Sequence, residues 1–411
     1  MTSMTDRQRW WEAIHFGTPD RVPYWDFAGI FAQTIQRWWT EGMPQDVEFS
    51  DFVVHDQNER APIAFNMCPY FEDQILEDDG EQRIIINLFG QKQRVWSDGR
   101  PGMPEFLEYP IKTRADFQAL KARYDPATPE RFPEPFDEFC AAAADRDFVY
   151  RLQDPRSPGL FGPLRNLMGL EPLLLTMYDD PAWIHEMMEF FADFYVAVID
   201  RVGPGFQYDW VFFFEDVGYK TSTLVSPEHF RKFMMAPYKR MTEAFRRNGT
   251  DALMIDSDGC NDPLIPLWIE AGFTGLGPME PQAQGMGPIE IRKRFGRDLF
   301  LIGGIDKRVL AQDKDAVERE VMSKVPWFLE NGGGYIPMLD HAIPPDSSYR
   351  NFLYYREVLA ACCDDDENRR RFQELGERAE RHDRADSVAS SAAAEETAVE
   401  AGGLREEDVN T

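Results

Sequence analysis

Between residues 5 and 363 short apolar runs alternate with longer amphipathic stretches, and this alternation decides most of what the chain can fold into. The runs at 149–153, 210–214, 252–255, 299–303 and 335–338 are nearly continuous hydrophobics, as strands buried on both faces must be. The stretches between them carry helix punctuation. Asp180-Pro181 opens a helix over 181–202, Ser226-Pro227-Glu228 opens one over 227–248 that stops at Asn248-Gly249, and Asp313 opens one over 313–331 that stops at Gly332. Strand, helix and strand repeated at this spacing predict a parallel sheet.

Such a sheet is either open or closed. No GxGxxG follows an early strand and no GxxxxGK[ST] is present, so the nucleotide-binding open sheets lose their best signal. Polar residues instead gather just after the apolar runs: Glu215-Asp216, Asp256-Ser257-Asp258, Asp306 and Asp340-His341. In a barrel the C-terminal strand ends converge on one mouth and build a site from several loops. The expectation is therefore a (β/α)8 TIM barrel over 1–363, with an N-terminal helical and hairpin elaboration. The hairpin falls at 76–96, around Asp78-Asp79-Gly80.

From residue 364 the composition changes to Asp, Glu, Arg, Ser and Ala with almost no aromatics. Residues 366–382 have the spacing of a helix; the rest cannot bury enough apolar surface to offset its ordering entropy, so 364–411 reads as an acidic, mostly disordered tail. With 44 basic and 72 acidic residues the net charge is −28, which argues against nucleic acid and against anionic membranes. Five cysteines (Cys68, Cys140, Cys260, Cys362, Cys363) make no disulfide framework, and no apolar signal core or spanning run is present; the expected location is the cytoplasm.

Four segments, in order, resemble the uroporphyrinogen decarboxylase-like superfamily. They are Arg7-Gln8-Arg9-Trp10 leading to Pro19-Asp20-Arg21-Val22-Pro23, Glu215-Asp216-Val217-Gly218 followed by Ser226-Pro227-Glu228, Asp256-Ser257-Asp258-Gly259, and Gly333-Gly334-Tyr335 through His341 to Asp346 and Asn351. The resemblance spans about residues 5–360 and implies a (β/α)8 barrel. It also implies one of two chemistries: cofactor-free decarboxylation, or methyl transfer using zinc or a corrinoid (cobalamin) on a partner protein. Where the decarboxylases carry an arginine pair after the first strand, this chain reads Tyr24-Trp25-Asp26-Phe27, with no Arg before Arg37. A substrate with eight carboxylates needs charge-assisted partners there, so the resemblance points away from uroporphyrinogen itself and toward the methyltransferase-like branch. At the positions where zinc methyltransferases place His-x-Cys and Cys stand Asp256, Asp258 and His341, an oxygen and nitrogen set suited to a divalent metal such as zinc.

Asp256 and Asp258 flank Ser257 on an extended segment, so both carboxylates face one way; the competing reading is a cap on the next turn. Of Glu215 and Asp216 only one should enter the mouth: Asp216 if the strand continues, Glu215 if it bulges. His341 can be acid, base or neutral ligand, against a merely hydrogen-bonded histidine. The expected catalytic set is thus His341, Asp256 and Asp216. Trp25 and Phe27 are expected to line the mouth, with Arg165, Glu215 and Asp306 as further substrate contacts; for Arg165 the competing reading is a surface ion pair, and for Asp306 a helix cap. The first functional reading is methyl transfer or demethylation linked to a corrinoid protein. The alternatives are a cofactor-free decarboxylase of a small carboxylate and a non-catalytic barrel that binds a small ligand. A homodimer is compatible with each.

Overall fold

The computed structural model describes residues 3–26, 29–45, 54–100 and 102–382. The expected disorder of 383–411 and the expected role of Phe27 lie outside them. The described residues fall into two compact units: 3–26, 55–100, 102–306 and 326–341 form the first, and 29–45, 54, 307–325 and 342–382 the second.

The first unit holds eleven strands: β1 Asn58–Arg60, β2 Gln74–Asp78, β3 Gln82–Ile86, β4 Lys92–Trp96, β5 Glu105–Glu108, β6 Val149–Leu152, β7 Trp210–Phe214, β8 Leu253–Asp256, β9 Gly275–Met279, β10 Phe300–Ile305 and β11 Tyr335–Leu339. Seven form a sheet in the order β1-β6-β7-β8-β9-β10-β11, every pair parallel. Trp210 and Phe212, Ala252 and Met254, Phe300 and Ile302, Ile336 and Met338 alternate onto one face and share a buried core with Trp10 and Trp25. Among the described residues no eighth strand joins β1 to β11. The chain just before β1 instead meets the extended segment 22–26 through the Asp56 N–H, which donates to the Tyr24 carbonyl at 2.9 Å. The Leu339 N–H in β11 donates to the Asp26 carboxylate at 3.4 Å.

The four strands β2–β5 form a separate antiparallel sheet. Its first turn falls at Asp79, as Asp78-Asp79-Gly80 predicts, with Asp79 accepting from the N–H groups of Glu81 and Gln82 at 2.8 and 2.7 Å. The expected strands at β6, β7, β8, β10 and β11 are all present. β1 and β9 escape a hydrophobicity reading: β1 is Asn-Glu-Arg, and β9 reads Gly-Leu-Gly-Pro-Met, a composition that elsewhere marks loops. A side chain at Gly275 would strike the Phe300 ring within 2.2 Å, so glycine there makes room for the core.

The helix Pro181–Val202 has the expected bounds. The stretch 227–248 divides into Pro227–Phe233 and Met235–Asn248, and 313–331 divides into Lys314–Met322 and Val325–Glu330. Pro237 and Pro326 explain both interruptions, because each lacks an N–H and its ring crowds the carbonyl four residues back.

A buried ion cluster fixes the N-terminus of this unit. Asp56 accepts from Arg21 at 2.7 and 2.9 Å and from Arg9, and Arg9 also pairs with Asp20 at 2.7 Å. The guanidinium groups of Arg21 and Arg9 outweigh burial and hold the Asp56 carboxyl below its ordinary range.

The second unit is helical. Trp38, on the helix Ala32–Thr40, donates to the Ser347 carbonyl at 2.9 Å and packs against Phe352 at 4.8 Å. Asn351, in the helix Tyr349–Cys362, donates to the carbonyls of Leu310 and Gln312 at 3.0 and 2.7 Å. Residues 366–382 are helical as expected, and Phe372 and Ala379 are buried, so this part of the acidic segment is docked rather than solvating. No helix among the described residues is long and apolar enough to cross a membrane.

Candidate active site at the strand ends

The ends of β7 and β8 carry the site. Residues of β7 alternate faces, and Glu215 falls on the face away from the core toward the helix Phe161–Met168. Its carboxyl is sealed at 0% exposure, accepting from the N–H groups of Leu160 at 2.5 Å and Phe161 at 3.0 Å and from the Tyr238 hydroxyl. These N–H groups begin a helix and have no partner within it. Burial pushes the Glu215 carboxyl up to about 8 despite those donors. The approach is close because Gly162 has no side chain: a Cβ there would sit 2.4 Å from the Phe214 carbonyl oxygen. Glu215 is therefore an internal anchor, not the substrate contact expected.

Asp216 leaves the strand in a left-handed conformation, φ 46°, that costs a non-glycine residue energy. The N–H groups of Glu215 and Asp216 both donate to the Asp256 carbonyl, at 2.9 and 3.1 Å. The Asp216 carboxylate pairs with Arg165, which also donates to the Asp216 carbonyl at 2.8 Å. Of the two acidic residues, Asp216 is thus the one with a partly open carboxylate.

Asp256 ends β8 on the same face as Met254 and is buried. Among the described residues its side chain has neither a hydrogen bond nor an ion pair. Burial, then the nearby charges of Asp258 and Asp216, hold its carboxyl well above the ordinary carboxylate range. Ser257 fixes the turn that follows: its hydroxyl accepts from the N–H groups of Val217 and Gly218 at 3.0 and 3.1 Å and donates to Asn261 at 2.7 Å.

Asp258 lies 3.8 Å from Nε2 of His341, both side chains about two-fifths exposed. This contact brings together the β8 and β11 ends, as expected. The third expected donor does not join them: among the described residues no three His, Cys, Asp or Glu side chains gather as a metal-holding set. The zinc-type arrangement of Asp256, Asp258 and His341 does not fit this geometry.

Trp25 is displaced from its expected place. It is a core residue, edge-on to Trp10 and Trp210 at 5.4 and 5.5 Å, with the Arg151 guanidinium 5.2 Å from its ring. A large apolar ring gains more from that packing than from a wet mouth. Asp306 follows β10 and is half-buried.

Three groups at these strand ends were not singled out from sequence. Asp26 sits 3.4 Å from Nε2 of His55. Arg156, between Pro155 and Pro158, adopts φ 58° and hydrogen-bonds Asn166. Tyr109, next to β5, lies close enough to Arg165 and Arg156 for both charges to act on its hydroxyl. The Pro-Arg-Ser-Pro sequence is the only signal that could have flagged Arg156, as a rigid turn just beyond a buried strand.

Residues 163–360 match the model of the uroporphyrinogen decarboxylase (URO-D) family. No curated protein matches the chain. Among solved structures it is similar to a methyltransferase from Methanosarcina mazei, with 13% identity, a TM-score of 0.53, and coverage of 88% of this chain and 99% of that one. At that identity the likeness is one of fold.

Proposed function

Residues 163–360 make this a uroporphyrinogen decarboxylase-like chain, and on that premise we propose that it is an enzyme removing a methyl group from a small molecule, with Asp256 as general acid. The observation that carries this reading is the Asp256 carboxyl, buried within reach of the charges of Asp258 and Asp216 and, among the described residues, without a hydrogen-bond donor or cation of its own. When methyl leaves an oxygen, nitrogen or sulfur atom, the bonding electron pair stays on that atom, and a positioned proton stabilises it. A corrinoid carried on a partner protein would accept the methyl group. His341, paired with Asp258, is placed to return a proton to the site after turnover.

The fold likeness to a methyltransferase supports this reading, as does the absence of an early arginine pair for a polycarboxylate. It includes a closed eight-unit barrel, with segment 22–26 in the eighth place, and a cytoplasmic location suited to five free cysteines. The alternative, decarboxylation without a cofactor, draws on Arg156 and Arg165, which suit a carboxylate.

The test presents a panel of O-, N- and S-methyl compounds to the enzyme with free cob(I)alamin, followed by absorbance, while the corresponding acids are assayed for released CO2. Methyl transfer that falls about 100-fold or more in Asp256→Asn supports the reading. CO2 release without methyl transfer overturns it.

A further inference from the structure

Arg156 is short of a counter-ion. Its guanidinium is half-buried, hydrogen-bonds only the neutral amide of Asn166 and makes no ion pair among the described residues. A desolvated arginine without a carboxylate is uncommon, because losing hydration costs several kcal/mol unless a partner replaces the water. The neighbouring charges make the shortage worse. Arg165 lies close enough to repel it, and the single nearby carboxylate, Asp216, is already paired with Arg165. Two guanidinium groups thus share one carboxylate in a chain whose net charge is −28.

The surroundings are arranged rather than incidental. Arg156 is held in a left-handed backbone conformation, its side chain is fixed by Asn166, and Asn166 is in turn tied to Gly162 at 2.9 Å and through its carbonyl to Gln91 at 2.6 Å. The second sheet supplies the rest: the Phe89 ring faces the guanidinium at 5.4 Å, and Tyr109 stacks on Phe106 at 5.6 Å while its hydroxyl feels both arginines. Two cations, a phenol donor and aromatic faces together match a planar carboxylate on a flat apolar body.

We propose that Arg156, with Arg165 and Tyr109, forms a subsite for the carboxylate of a small aromatic acid, so that the substrate is an aryl carboxylate. This deepens the proposed function and rests on it only for the identification of the bound molecule as substrate. Arg156 is then a substrate-binding residue. Asp216, paired with Arg165, also acts by its charge on Asp256, which links the carboxylate subsite to the general acid.

The experiment is calorimetric titration of the full chain with benzoate, with its neutral counterpart benzamide and with inorganic phosphate. Benzoate is expected to bind about tenfold or more tightly than either other probe. In Arg156→Gln that preference for benzoate over benzamide is lost, and in Arg156→Lys, which keeps the charge but not the fork, it is partly restored. Equal binding of benzoate and benzamide by the natural chain overturns the proposal without any variant. So does phosphate binding as tight as that of benzoate, or unchanged benzoate affinity in a folded Arg156→Gln. Benzoate has no methyl group to give, and its binding is read as heat. Failed methyl transfer with intact benzoate selectivity therefore sinks the function and leaves the subsite. Intact methyl transfer from donors lacking a carboxylate, without benzoate selectivity, does the reverse.

Discussion

Glu215 and Asp256 stand at the ends of adjacent strands, both buried and both with carboxyl groups pushed upward by burial, yet they belong to different parts of the molecule's business. Glu215 has two backbone N–H groups and a tyrosine hydroxyl directed at it. Asp256 has no donor, and two more carboxylates nearby. A raised pKa by itself therefore does not mark a catalytic acid. What separates the two is whether the surrounding donors are committed to the group, as in an anchor, or left for a ligand to supply.

That contrast breaks first at Asp256. Asp256→Asn is expected to lower turnover by roughly 10²–10⁴-fold while leaving thermal stability unchanged or raised, because it removes a crowded acid and no native bond. A variant that is inactive only because it is unfolded would erase the distinction. Glu215→Ala should behave oppositely, leaving the Phe161 N–H and the Tyr238 hydroxyl without an acceptor and the Leu160 N–H with only that hydroxyl. A loss of about 4 kcal/mol in urea unfolding is expected, and a loss below about 1 kcal/mol would show that Glu215 is no anchor.

The pH dependence is the next, smaller effect. A carboxyl at about 8 in the folded chain and at its ordinary 4.5 when unfolded binds more protons folded than unfolded between those values. Stability should therefore fall as pH rises from about 5 to 8, by about 3 kcal/mol from this group, and then level off. Asp154, pushed up to about 6 by burial, adds to the lower part of the same slope. In Glu215→Gln the slope near pH 8 should shrink, leaving what Asp256 contributes, while the part near pH 6 remains; an unchanged profile would refute the assignment. The smallest expected signal is metal. Protein purified without chelator should carry far less than one equivalent by mass spectrometry, and a stoichiometric metal lost in His341→Ala with Asp258→Ala would overturn the geometry described for that pair.

Much of the fold was legible because its strands are buried on both faces, so hydrophobicity alone marks β6, β7, β8, β10 and β11. β9 was not, because packing against Phe300 demands glycine where strand propensity would ask for a β-branched residue. The helix interruptions came from prolines whose effect on the carbonyl four residues earlier a periodicity reading passes over. At the site, period-2 alternation pointed the Asp256 and Asp258 carboxylates to one face. It left open which of Glu215 and Asp216 turned inward, since that depended on a backbone departure at Asp216 that no residue type announces. Trp25 was misplaced for a related reason: its role is set by Trp10 and Trp210, partners distant in sequence. Arg156 went unnoticed because only the fold brings it near Arg165, Asp216 and Tyr109.

The sheet order has a consequence for how the protein is made. From β6 to β11 every new strand pairs with the one synthesised just before it, so this part can assemble as it leaves the ribosome. The N-terminal segment cannot: the Leu339 N–H that Asp26 accepts is 313 residues away. At about 10 residues per second that interval lasts roughly half a minute. Throughout it Trp25 and Trp10 still await the final strands of their core. This early-made segment thus waits on strands made much later before its core is complete, and its two tryptophans stay uncovered on that side until then.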